Sequence, residues 1–311
     1  WWSSTACQQR FPNHSLMRIK FRAFLELMRP ANVITALTDV LAGMAIVGFT
    51  FGTLDYQFWP VVFLGISTMC LYAGGVVFND IFDHELDTIE RPERALPSGR
   101  IQRIEAVFGG IVLLSLGIFL AFWQSRLSGI VAVIITMLAL FYDYKGKHMR
   151  IFGPINMGLC RAYNLMLGMS VYELGVLENF QLILIPLIYI AAITLVSRGE
   201  VHGSRPITLW FAAVLFILVH ASQLAVGFQT GKYLYILPFV LAHAYLIFTK
   251  LSIAIKNPIG PNIGQTVKTG VLTLILMNAA WVALSEQYYM AFVTLALLPI
   301  SMWVGKKFAV S

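Results

Sequence analysis

This chain is predicted to be an all-α integral membrane protein, a polytopic bundle of nine or ten transmembrane helices. Three observations point there: an apolar composition, a train of long apolar runs, and a one-sided distribution of basic residues between those runs. Of 311 residues, 58% are hydrophobic and 12% charged, and the mean hydropathy is +0.76. Soluble domains are about 45–50% apolar and about 25% charged. Half the usual charge cannot clothe a water-facing surface, so lipid is the expected solvent.

A helix that crosses the hydrocarbon needs about 20 mostly apolar residues. Such runs fall at 31–50, 58–79, 104–123, 127–143, 152–171, 181–197, 207–228, 233–251, 268–284 and 288–304. An open sheet is excluded, because its edge finds no hydrogen-bond partner in lipid. The net charge of +7 would suggest nucleic acid in a soluble protein. Here the basic residues lie between apolar runs, where they report orientation, and no nucleic-acid role is expected.

One set of connections holds Arg10, Arg18, Lys20, Arg22, Arg29, Arg91, Arg94, Arg100, Arg103, Lys145, Lys147, Arg150, Arg198, Arg205, Lys250, Lys256, Lys268, Lys306 and Lys307. The opposite set holds only Arg126 and Lys232, with Arg161 inside a run. Both termini and the long polar loops are therefore expected in the cytoplasm. Residues 1–24 read as an N-terminal cytoplasmic segment and 25–311 as one transmembrane domain. The first fifteen residues lack the apolar stretch of a signal peptide. Cys7, Cys70 and Cys160 form no CxxC pair, so small buried side chains are expected rather than zinc ligands or a disulfide.

The strongest chemical signal follows the second run: Asn79-Asp80-Ile81-Phe82-Asp83-His84-Glu85-Leu86-Asp87, then Arg91-Pro92-Glu93-Arg94 and Leu96-Pro97-Ser98-Gly99-Arg100. If the helix continues, Asp80, Asp83 and Asp87 fall at i, i+3 and i+7 on one face, with Asn79 bordering it. Stacked carboxylates at a membrane surface repel one another unless a cation joins them. Hard oxygen donors suit Mg²⁺. The alternative is a solvated loop whose acids pair with Arg91, Arg94 and Arg100.

Residues 79–94 resemble the first aspartate motif, NDxxDxxxD followed by RP, of the UbiA superfamily of intramembrane prenyltransferases. Met28-Arg29-Pro30 and the spacing of the runs are similar to that family too, over essentially the whole chain from about residue 25. The closest likeness is to the EboC-like branch, through 79–99, Gly158-Leu159-Cys160-Arg161 and Ser197-Arg198-Gly199-Glu200-Val201-His202-Gly203. The resemblance implies Mg²⁺ held by Asn79, Asp80, Asp83 and Asp87 against the diphosphate of a prenyl donor, with the three aspartates catalytic. An allylic cation would then meet a positioned hydrophobic acceptor.

That family carries a second aspartate motif after the sixth run. Here only Glu200 remains, beside Arg198, His202 and Arg205. Glu200 is a candidate metal ligand and Arg198 a candidate diphosphate contact; a polar loop capping two helices is the other reading. Arg161 and Asn164, three apart in the fifth run, are candidate diphosphate contacts or members of a structural ion pair. Lys145 is either a diphosphate contact or an interfacial snorkelling side chain. Asp39 is a candidate proton acceptor or a structural partner. His220, Gln223 and His243 are expected in interhelical hydrogen bonds. Tyr72, Phe78, Tyr142 and Tyr163 are aromatic faces near the site. The function expected is transfer of an isoprenyl group from a prenyl diphosphate to an acceptor; the rival is a non-catalytic relative that binds or moves a lipid. An ion-coupled transporter fits less well, because the acids cluster at a helix end rather than at mid-membrane.

Overall fold

Apolar runs fold into helices because lipid offers no partner for a free backbone amide. The structure, a computed structural model, describes residues 13–51, 58–201 and 203–308; Cys7, Arg10 and His202 lie outside the described residues. Thirteen α-helices follow in order: α1 Asn13–Met28, α2 Pro30–Ile46, α3 Phe58–Phe82, α4 His84–Glu90, α5 Arg103–Gln124, α6 Arg126–Tyr144 and α7 Phe152–Met169. They continue as α8 Glu173–Asn179, α9 Leu184–Ser197, α10 Pro206–Gln229, α11 Tyr233–Lys256, α12 Gly260–Leu284 and α13 Tyr288–Phe308. Among the described residues there is no strand. The chain is a multi-pass membrane protein.

Among the described residues, eight segments are long and apolar enough to cross a membrane, the short α8 being continuous with α9 in one of them. The two expected runs that fall short are α2, with only 17 residues, and α7, which carries Asn156, Arg161 and Asn164. The count of nine or ten therefore depends on two helices whose polar residues are buried inside the bundle. Other differences are local. Lys268 stands inside α12, which starts eight residues before the apolar run because Pro261 sits comfortably in a first helical turn. Three short or surface helices, α1, α4 and α8, carry no long apolar run and had no signal of that kind.

Burial separates the centre from the rim. In α12, 67% of the apolar window is buried inside the protein, against 17% in α13. Helix α2 packs on α3, α7, α12 and α13, so the shortest spanning candidate is the axle of the bundle. Its closest approach is to α7. A Cβ on Gly43 would fall 2.1 Å from the Leu165 carbonyl oxygen, and one on Gly168 would fall 2.1 Å from that of Val40. Small residues let helix backbones touch where lipid provides no hydrophobic push. Gly74, in α3, plays the same part against Leu114 of α5.

Element ends obey ordinary capping. The Gln102 amide donates to Glu105 at the start of α5, and the Ser128 amide to the Ser125 hydroxyl at the start of α6. Arg29 joins α1 to α2 with φ 48°, a left-handed conformation unusual outside glycine.

The tight α2–α7 seam makes a direct prediction. Gly168→Val should lower the melting temperature of the purified protein sharply, because overpacking against backbone costs about 1–3 kcal/mol or more. Gly264→Ala, where an added Cβ meets nothing within 4 Å, should not.

Candidate functional site

Chain geometry first gathers charge where α3 leaves the bundle. Helix α3 ends at Phe82 and α4 begins at His84, so Asp83 sits at the joint, with φ −87° and ψ 3°. The backbone ladder runs through, since the Asp83 amide donates to Asn79 O and the Asp87 amide to Asp83 O. The three carboxylates of the expected row do not all share one partner. Asp80 and Asp87 share one basic partner, whereas Asp83 meets another that comes from a different connection.

Three bases, from three parts of the chain, hold the three acids. Arg29 donates to Asp80 Oδ1 at 2.6 Å. Arg94 Nη1 donates to Asp87 Oδ2 at 2.7 Å and lies 3.5 Å from Asp80 Oδ1. Lys147 is ion-paired with Asp83. Of the arginines proposed for a solvated loop, Arg94 alone binds these acids among the described residues; Arg100 pairs with Glu26. Asp80 and Asp87 are buried, so the arrangement is not a solvated loop.

Packing explains why those bases arrive there. Ala95, Leu96 and Ile101 fold into a small core with Ala23, Leu27, Val77 and Ile81, which presses the 91–101 connection under α1 and α3 and aims Arg94 inward. Lys147 rides on a 3₁₀ turn, Gly146–His148. Arg198 donates to the carbonyls of Met149, at 2.7 Å, and Arg150, so it clamps the connection that carries Lys147.

Below the acids opens a cavity of 360 Å³. Asn79, Asp143, Arg29 and Ser197 line it together with Tyr72, Tyr142, Thr68 and Arg161 and apolar side chains such as Ile135, Met157, Ile190 and Val271. Along α3, Tyr72 is seven residues and Thr68 eleven residues deeper than Asn79, hence roughly 10 and roughly 16 Å at the helical rise. The polar wall at that depth is saturated. Asp39 accepts hydrogen bonds from Arg161, from Asn164 at 2.9 Å and from Asn278 at 2.7 Å. Arg161 also donates to Thr35, and Tyr72 lies with its ring 5.2 Å from the guanidinium. Arg161 and Asp39 are therefore a buried ion pair; neither has a bare charge for a ligand.

The remaining sequence candidates are placed differently. Lys145 is exposed and rests over the Tyr144 ring, while Lys147, two residues on, turns inward. Glu200 stands on the exposed side of the 198–205 connection. Crowding by protein still lifts its carboxyl above the ordinary value, with Arg91 pulling the other way. Phe78 packs against the α3–α5 seam, where it meets Gly110. Gln223 donates to Met277 O, and His243 pairs with the Tyr189 hydroxyl, both across helices; His220 turns to Phe216 O on its own helix. Sequence reasoning missed Arg29, Lys147 and Asn278 as partners. Each had a signal: a base at the opening of the first apolar run, a second lysine in one loop, an amide in an apolar run.

The deep ion pair sets up a test. Asp39→Ala should cost about 3–5 kcal/mol, because it strands a buried guanidinium. Asp39→Leu combined with Arg161→Leu should recover much of that loss in melting experiments, since two apolar side chains strand nothing.

Comparison with known proteins bears on the family and the fold. A digeranylgeranylglyceryl phosphate synthase from Methanothermobacter thermautotrophicus is 32% identical over 145 residues, 47% of this chain and 49% of its own length. The chain thus spans about half the length of the curated relatives it matches. A solved structure of digeranylgeranylglyceryl phosphate synthase in membranes is 25% identical with a TM-score of 0.63, over 86% of this chain and 98% of that one. A UbiA homologue from Archaeoglobus fulgidus bound to GPP and Mg²⁺ shares the fold at 16% identity, with a TM-score of 0.51 over 90% of this chain and 99% of that one. The model of the UbiA prenyltransferase family matches residues 40–259, and with the helical bundle and its acid cluster already in place, this chain belongs to that family.

Proposed function

We propose that the chain is an intramembrane, Mg²⁺-dependent prenyltransferase that moves an isoprenyl group from a prenyl diphosphate to a hydrophobic acceptor. The observation that carries this reading is the set of acids, each held by a base from a separate connection, beside a largely apolar cavity that Asn79 and Arg29 line. Relatives named digeranylgeranylglyceryl phosphate synthase support the reaction class, and the Archaeoglobus homologue with GPP and Mg²⁺ supports donor and ion.

The donor set suits the ion. Mg²⁺ takes one or two carboxylates and completes its octahedron with water and phosphate oxygens. Arg94 Nη1 already occupies a cation position between Asp80 and Asp87. Among the described residues no three Asp, Glu, His or Cys side chains form a cage, so water and diphosphate oxygens would have to complete the ion's coordination. Asn79, Asp80, Asp83 and Asp87 would hold the ion, and Glu200 is the one carboxylate available on the second connection. Bound there, Mg²⁺ supplies Lewis-acid stabilisation of the charge left on diphosphate when the allylic C–O bond breaks.

The chain's own groups do the rest. Arg29, Arg94 and Lys147, released from their carboxylates, turn to phosphate oxygens; Arg198 contributes by fixing the Lys147 connection. Lys145 and the already paired Arg161 and Asn164 are left with supporting parts. Tyr72 and Tyr142 offer ring faces to an allylic cation. The apolar wall takes the isoprenyl tail and keeps water from the cation. The acids and their bases lie on the cytoplasmic face by the positive-inside rule, with both termini on that side.

A second reading is a non-catalytic lipid-binding or lipid-moving relative. It is favoured by the 197–205 connection, where Glu200 is alone and exposed. The likeness to the EboC-like branch rests on 79–99, 158–161 and 197–203.

Incubation of purified protein with Mg²⁺, labelled prenyl diphosphates of several lengths and an acceptor panel that includes a prenylglyceryl phosphate separates the two. The enzyme reading expects diphosphate release that falls by about 10²-fold or more in Asp83→Ala and Lys147→Ala, the loss typical of removing one electrostatic contact in a transition state. Magnesium-dependent binding with no turnover on any acceptor would leave the second reading standing.

A further inference from the structure

We propose that Asp143 is a positioning residue for the cation site, acting through Asn79; this rests on the prenyltransferase reading above. Asp143 stands in the last turn of α6, is 5% exposed, and among the described residues is the only carboxylate on the cavity wall. It makes no ion pair with any described residue. Lys147 is engaged by Asp83 and Arg29 by Asp80, and the single hydrogen bond Asp143 makes is to a neutral amide. A buried carboxylate without a cation is costly, and in a membrane bundle such groups mark function by default.

What that carboxylate does follows from hydrogen-bond chemistry. Asn79 Nδ2 lies 2.9 Å from Asp143 Oδ1. In its ionised form Asp143 only accepts, so the amide nitrogen faces it, and the flip of Asn79 is decided by its partner. Asn79 Oδ1 has no hydrogen bond and is the end left for a ligand. Without Asp143 the amide can rotate and offer its N–H groups, which repel a cation. Partners of this kind, behind a metal ligand, hold it in its binding orientation.

The acids of the first motif come from one stretch of chain, but this orienter comes from α6, 64 residues away in sequence. It explains why an aspartate stands at the end of the fourth apolar run, where a basic residue or tyrosine would serve the interface better.

The test is titration of Mg²⁺, with inorganic pyrophosphate present, into the full chain in lipid nanodiscs, followed by calorimetry; melting without Mg²⁺ reports folding separately. Asp143→Leu should weaken Mg²⁺ binding by about 10–100-fold, the usual effect of losing such a partner. Asp143→Asn keeps an amide oxygen that accepts from Asn79 and should bind Mg²⁺ close to wild type. If Asp143→Leu does not fold, Asp143→Ala takes its place. Unchanged affinity in the leucine or alanine variant overturns the proposal, and so does an asparagine variant as weak as leucine, which would make the carboxylate itself a ligand. Wild-type protein that binds no Mg²⁺ with pyrophosphate would instead overturn the prenyltransferase reading and this inference with it.

Discussion

A single buried carboxylate organises the interior. Asp39 accepts from Arg161 and Asn164 of α7 and from Asn278 of α12, so three central helices share one charge. In lipid no water can replace these donors, and a wrong register would leave an ion bare in hydrocarbon. The α2–α7 backbone contact at Gly43 and Gly168 allows the approach that the short Asp39 side chain requires. Polarity fixes which faces meet; small residues fix how closely.

The acids at the other end obey the same constraint in a more exposed setting. Asp80 and Asp87 are buried enough to need a cation, and the chain supplies guanidinium groups. Such pairs are worth little as stabilisers once desolvation is counted. They are better understood as a neutralised resting arrangement whose cations can be exchanged for an incoming one. Arg29 is held in a left-handed conformation to make its pair, and strain of that kind gathers at functional positions.

The 197–205 connection departs from a symmetric two-motif site. Where a second set of carboxylates would stand, Arg198 instead spends its guanidinium on the carbonyls of Met149 and Arg150. One base thus supports another, since the clamped turn presents Lys147 to Asp83. The electrostatics of this face thus lean on basic groups supplied by separate connections.

Composition and the ten apolar runs determined by themselves that this is a helical membrane bundle, because a 20-residue apolar stretch has few other fates. The acidic motif was equally legible, since Asn79, Asp80, Asp83 and Asp87 are close in sequence and their chemistry is local. Pairing was not. Arg29 meets Asp80 across 51 residues, Lys147 meets Asp83 across 64, and Arg161 finds Asp39 across 122. Lys145 and Lys147 look alike on the page; only the turn at Gly146–His148 decides which faces the acids. Local spacing carries the identity of the groups, whereas charge partners separated by whole helices are chosen by packing, which tertiary structure alone decides.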